Sequence, residues 1–193
     1  MDAITLLKAD HKTVEQLFKR FEKLGEGATT QKREIVDSII EELSIHASIE
    51  EQVLYPAIRE AMEAAEDLVL EALEEHHIVK WTLSELEGMP ANAERFDAKV
   101  AVLMESVRHH VKEEEEELFP QVREVLKRKA LAELGDALEK AKKVVPTRPH
   151  PRAPDEPPGN ILVGVPTGVV DKVVTAGKKA VKKATTKAPA RKR

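Results

Sequence analysis

Apolar side chains recur every three or four positions through most of the first 125 residues, and they resolve into four stripes. Ile4, Leu7, His11, Val14, Phe18 and Phe21 form the first, which stops near Gly25-Glu26-Gly27. Val36, Ile39, Leu43, His46, Glu50, Val53 and Ala57 form the second, and Val69, Ala72, His76, Val79, Leu83 and Leu86 the third, ending at Gly88-Met89-Pro90. The fourth is Phe96, Val100, Leu103, Val107, His110, Glu114 and Leu118. A period near 3.6 with one apolar face is the signature of an amphipathic helix. Short connections make antiparallel neighbours, so the pattern predicts an all-α, antiparallel four-helix bundle.

The interruptions of those stripes carry the chemistry. His11, His46, Glu50, His76, His110 and Glu114 stand where the period calls for Leu or Ile. Burying so many polar groups costs several kcal/mol unless they are paired or hold a metal. His46 and Glu50 are four apart, as are His110 and Glu114, so each pair shares a helix face. The halves also repeat. HASIEEQVLYPAIRE from His46 aligns with HVKEEEEELFPQVRE from His110 without a gap, and Asp10-His11 matches Glu75-His76. Two such halves packed with rough two-fold symmetry bring four imidazoles and two carboxylates to one point. That donor set suits a pair of transition ions rather than calcium or magnesium. Two irons are the favoured reading, with zinc and manganese open alternatives.

Composition narrows the picture. There is no cysteine, which excludes disulfides, thiolate metal sites and cysteine nucleophiles. Aromatics are only 3% and charged residues 34%, a balance that favours helices over a sandwich or barrel. No stretch has the length of a membrane span and the N-terminus lacks a signal-peptide pattern, so the expected location is cytoplasmic. The charge is divided: residues 1–141 carry 18 Lys/Arg against 32 Asp/Glu, and residues 142–193 carry 13 against 3. Seven of the eleven prolines fall between Pro146 and Pro166. The expected organisation is a bundle with a short C-terminal helical extension over 1–145, a Pro-rich linker over 146–160 and a basic Lys/Ala-rich tail over 161–193. The tail is expected to be disordered in the free protein, with a short amphipathic helix around Val169, Val170, Val173 and Val174 possible within it. Its last part, 172–193, could meet nucleic acid non-specifically, or an acidic partner, through charge.

The doubled HxxxE pairs, the lone histidines on alternate helices and the EEQVLYP and EEELFP continuations resemble the hemerythrin-like family, also called the HHE cation-binding domain, over roughly residues 1–125. The resemblance implies a four-helix bundle around a non-haem di-iron centre with oxo or hydroxo and carboxylate bridges. Glu50 and Glu114 would bridge the irons, and His11, His46, His76 and His110 would supply terminal nitrogens. It implies binding of, or reaction with, oxygen, nitric oxide or hydrogen peroxide, in oxidative or nitrosative stress handling. The competing expectation is a non-enzymatic sensor or metal-storage module acting through the basic tail. One departure matters: oxygen-carrying members have a fifth histidine four residues after the third-helix ligand, where this chain has Lys80. A cluster one histidine short favours reactivity over reversible carriage. Tyr55 is a candidate substitute, although an ideal α-helix sets it about 140° from Glu50, so Pro56 would have to distort the backbone.

The remaining polar groups are given ordinary roles. His77 and His109 lie one position off the stripes and read as flanking or surface groups. Glu113, Glu115 and Glu116 read as a solvated face, Glu117 is ambiguous, and Trp81 reads as a packing residue. Asp10 and Glu75 could orient an imidazole, but helix direction points them aside from their neighbouring histidines. No side chain is placed by sequence as a proton donor.

Overall fold

Asp2 starts the first helix by accepting a hydrogen bond from the Thr5 N–H at 3.0 Å, a side-chain cap on α1 (Ala3–Glu22). In this computed structural model the described residues are 1–156. The second bundle helix is composite: α2 (Thr29–Ile49), a π-helical turn (Glu50–Leu54) and α3 (Tyr55–Ala61). The third is α4 (Glu66–Glu87). The fourth repeats the second's composition, with α5 (Phe96–Glu113), a π-helical turn (Glu114–Leu118) and α6 (Phe119–Val125). All four helices follow the predicted stripes, and the molecule is an all-α helix bundle.

The π turns sit where each stripe meets a proline. Pro56 and Pro120 have no N–H to give the ladder, and an α-helical path would press the ring on the carbonyl four residues back. In each case the chain instead widens by one residue, with Tyr55 N–H bonded to Glu50 O and Phe119 N–H to Glu114 O. The proline then occupies the first turn of a fresh α segment, where its missing donor costs little.

Two apolar clusters flank the middle of the bundle. Phe18, Val36, Ile39, Ile40, Leu83, Phe96 and Val100 belong to one. Ile4, Leu7, Tyr55, Ile58, Phe119 and Val122 belong to the other, which is completed by α7 (Arg128–Ala141) through Leu131, Leu134 and Leu138. Each such side chain contributes about 1.5–3 kcal/mol on full burial. That driving force is what lets the polar groups between the clusters be buried at all.

Helix α7 lies across α1 at very short range. A Cβ at Gly135 would stand 2.2 Å from the Met1 carbonyl oxygen and 2.9 Å from Ala3 N, so only glycine permits this approach. Arg33 closes the opposite end by donating to Leu86 O at 2.8 Å and Met89 O at 3.1 Å, at the C-terminus of α4. The Pro-rich stretch lies against the bundle through Glu156: Arg148 pairs with Glu87, Asp155 with Lys80, and Glu156 with Arg59. The expected amphipathic helix in the tail falls outside the described residues. Among the described residues no helix is long and apolar enough to cross a membrane.

Candidate metal centre

The stripes place the six interrupting residues at one level of the bundle, between the apolar clusters. His11, His46, Glu50, His76, His110 and Glu114 are all buried, none more than 6% exposed. Their ligand atoms fall into two groups. His11, His46, Glu50 and Glu114 form one, Glu50, His76 and His110 the other, and within each group the atoms lie within 4.8 Å of one another. Glu50 belongs to both.

The distances show why these side chains ask for a cation. His11 Nε2 faces His46 Nε2 at 3.2 Å, and His76 Nε2 faces His110 Nε2 at 3.2 Å. Glu50 Oε2 lies 3.1 Å from His46 Nε2 and 3.4 Å from His76 Nε2, while Glu114 Oε2 lies 3.3 Å from His11 Nε2 and 3.7 Å from His110 Nε2. Both Glu50 oxygens and Glu114 Oε2 are buried without a hydrogen-bond partner.

The outer nitrogens settle which lone pairs point inward. His11 Nδ1 is 2.9 Å from Glu115 Oε1, His76 Nδ1 3.1 Å from Glu51 Oε1, and His110 Nδ1 2.7 Å from Glu75 Oε2. His46 Nδ1 stands 3.7 Å from Asp10 Oδ2, a contact too long for a hydrogen bond. With the Nδ1 protons of His11, His76 and His110 directed at these carboxylates, their Nε2 atoms present lone pairs inward. Acceptor then faces acceptor in a dry interior, which is unfavourable without a positive centre. Ligands about 2.1 Å from a transition ion are spaced from each other much as these atoms are, so the residues fit a pair of ions.

Burial and charge act on the cluster in opposite directions. Burial pushes the Glu50 carboxyl well above its usual range, and the charge of Glu114 adds to this. Burial works the same way on Glu114, but His110 and His11 outweigh it and hold that carboxyl low. Burial drops the His46 imidazole to about 4 and carries His76 well down, keeping both neutral. His110 moves up despite its burial, because Glu114 and Glu75 favour its charged form.

The flanking carboxylates are crossed between helices in a two-fold pattern. Asp10 and Glu75 pass over their adjacent histidines to reach His46 and His110, while Glu51 and Glu115 reach back to His76 and His11. Glu115 is therefore no part of a solvated face, as its sequence position suggested. Its orientation depends on the π turn that begins at Glu114, which an α-helical period does not anticipate. Glu116 and Glu117 are exposed. Trp81 also departs from expectation: it is 45% exposed rather than packed inside.

The π turn also answers the question of Tyr55. Residues five apart share a face there, so the phenol swings toward the site. Its O–H donates to Glu114 Oε1 at 2.9 Å and lies 3.5 Å from His76 Nε2. Burial, reinforced by Glu114 and Glu50, pushes its pKa well up, so it keeps its proton. The equivalent position in the other half is Phe119, which stacks on His11 with ring centroids 5.9 Å apart. Lys80 turns its buried ammonium onto Glu51 at 2.9 Å and onto Asp155. A groove of about 650 Å³ between α1 and α5 reaches His11 and Glu115 from outside; Val14, Phe18, Val107 and Val111 line it together with charged residues such as Lys8, Lys12, Arg108 and Lys112.

The chain is similar to known proteins in sequence and in fold. The family model for the hemerythrin HHE cation binding domain matches residues 2–122. An uncharacterized hemerythrin-like protein of Schizosaccharomyces pombe is 28% identical over 165 residues, which cover 85% of this chain and 80% of that protein. A DNA nickase of Nostoc is 27% identical over 148 residues, covering 77% of this chain but only 41% of the nickase. The crystal structure of a hemerythrin HHE cation binding domain-containing protein from Mycobacterium kansasii superposes with a TM-score of 0.62 at 22% identity, over 95% of this chain and 99% of that one. At that identity the likeness speaks for the fold.

Proposed function

Since the chain belongs to the hemerythrin HHE cation-binding domain family, we propose that it is a non-haem di-iron protein that binds or reacts with oxygen, nitric oxide or hydrogen peroxide in oxidative or nitrosative stress handling. The observation that carries this reading is the convergence of six buried ligand groups, with both Glu50 oxygens and Glu114 Oε2 left without a hydrogen-bond partner. His11 and His46 would hold one ion and His76 and His110 the other, with Glu50 and Glu114 shared between them. When bound, the iron pair supplies the redox electrons and open coordination that such small ligands need.

The chain's own residues set the conditions. Glu51, Glu75 and Glu115 orient the imidazoles of His76, His110 and His11 and raise their basicity, as carboxylates behind metal-bound histidines do, while Asp10 faces His46 at longer range. Tyr55 holds Glu114 through its O–H and keeps a proton beside the centre, a donor that the sequence alone did not reveal. The apolar clusters on both sides exclude bulk water. A groove lined by Val14, Phe18, Val107 and Val111 together with Lys8, Lys12, Arg108 and Lys112 reaches His11 and gives a small ligand a way in from outside.

Metal analysis of protein purified from iron-replete cells tests the proposal. About two irons per chain are expected. Zinc, one ion or none after anaerobic preparation would overturn the redox reading.

A second reading is favoured by the Nostoc relative that is named a DNA nickase. In it the bundle is a metal-binding module that meets nucleic acid through the basic residues of 172–193. Binding to duplex DNA that weakens steeply with salt, and is lost on removing 172–193, would favour this reading.

A further inference from the structure

Three of the four carboxylates behind the histidines are neutralised by a lysine. Lys8 lies 3.0 Å from Glu115, Lys142 2.6 Å from Asp10, and Lys80 2.9 Å from Glu51. The fourth, Glu75, has no lysine beside it among the described residues. Its Oε2 accepts a hydrogen bond from His110 Nδ1 at 2.7 Å, and its Oε1 lies 3.8 Å from His109 Nε2. Glu113 Oε1 lies 3.2 Å from the same nitrogen. The three ligand atoms of Glu75, His109 and Glu113 fall within 4.8 Å of one another, as those of the internal groups do.

This surface group has the design of the internal ones. His109 and Glu113 are a third pair four residues apart, one step round α5 from His110 and Glu114, and Glu75 comes from the neighbouring helix. The other half has Ile45 and Ile49 at the matching positions, so the repeat does not account for it. There Lys142, the residue that follows α7, reaches the outer carboxylate Asp10, whereas on the Glu75 side His109 is 62% exposed. Two carboxylates already facing one another around a single imidazole leave a place for a positive ion where the other corners have an ammonium.

We propose that Glu75, His109 and Glu113 form a loading site for a divalent transition ion, one carboxylate away from the internal ligand His110. Two oxygens and one imidazole nitrogen suit such an ion, and the exposed His109 lets it exchange with solvent. Glu75 touches both places. An ion held outside is thereby next to the side chain that positions an internal ligand. The uptake role rests on the di-metal reading, whereas binding at the surface does not.

Full-length protein, with its internal metal first counted by elemental analysis, is titrated with Mn²⁺ while free ion is followed by electron paramagnetic resonance. One more Mn²⁺ per chain is expected in the wild type than in His109→Ala or Glu113→Gln. Metal-free wild type and His109→Ala are then mixed with Co²⁺ without oxygen, and uptake is followed by absorbance. The variant should fill to the same internal stoichiometry, but severalfold more slowly. Equal Mn²⁺ counts would overturn the site, and equal uptake rates would overturn its loading role. If no internal metal is found or taken up, the di-iron reading fails, yet the one-ion difference between wild type and variant still decides the surface site.

Discussion

Tyr55 shows what a single atom contributes here. Its hydroxyl donates to Glu114 Oε1, while His11 and His110 face the other oxygen of that carboxylate. Tyr55→Phe should destabilise the metal-free protein by about 1.5–3 kcal/mol, the range for a hydrogen bond to a charged group. Urea denaturation of the chelated wild type and variant would measure it, and an unchanged midpoint would contradict the geometry. His46 yields a pH prediction. Its folded pKa of about 4 lies below the unfolded value of 6.5, so its contribution is present above pH 6.5 and is lost as pH falls toward 4. Glu51, raised to about 7, acts oppositely, since its contribution is lost as pH rises from 4.5 through 7. The two nearly cancel in the wild type, so a comparison must isolate one. The stability of metal-free wild type relative to His46→Gln should fall by about 3 kcal/mol between pH 6.5 and 4, at 1.36 kcal/mol per pKa unit. The six interior groups were legible because each breaks an apolar stripe. Glu115, Glu75 and Asp10 were harder to read because their partners lie on other helices, and periodicity says nothing of cross-helix distance.

Among the elements, the two π turns and α7 govern how accurately the site is set. Each π turn lies between a candidate ligand and a proline, and each changes the direction of the residues that follow. The sequence held a signal for this in the Tyr55-Pro56 and Phe119-Pro120 pairs, nine and ten positions after His46 and His110. Counting at 3.6 residues per turn could not use it, and so Tyr55 came out facing aside. Pro56→Ala restores the missing donor and removes the reason for the wider turn. The variant should lose the Tyr55–Glu114 hydrogen bond, seen as a faster-exchanging Tyr55 hydroxyl by NMR, while staying helical by circular dichroism. Helix α7 was expected only as a short extension, and its approach to α1 could not be read because nothing in the stripe singles out Gly135. Gly135→Ala should cost about 1–3 kcal/mol by overpacking, measured as a lower thermal midpoint. Ordinary hydrogen exchange of α1 amides in that variant would argue against the close contact.

For the whole molecule, the two flanking clusters and the polar level between them separate folding from metal binding. The clusters bury many Leu, Ile, Val and Phe side chains away from the six polar groups, so the bundle is expected to hold together without ions. Chelation should therefore leave the helical content unchanged but lower the melting temperature. At 100 times the dissociation constant a ligand stabilises by about 2.7 kcal/mol, which for a chain of this size is roughly 5–10 °C. Calorimetry of metal-loaded and chelated protein would measure it, and coincident melts would mean that the six donors hold no ion. The bundle itself was readable from period and loop length. The lie of residues 146–156 was not, since ion pairs such as Lys80–Asp155 join positions 75 apart in the chain.

The two-fold arrangement of the centre has a consequence for heredity. Were the bundle a dimer of half-length chains, every substitution would arrive twice, and one half could not carry Tyr55 where the other carries Phe119, nor Ile45 where the other carries His109. Covalent fusion of the halves lets a single mutation touch one side alone. Each side can then drift toward a separate task while the other preserves the common scaffold.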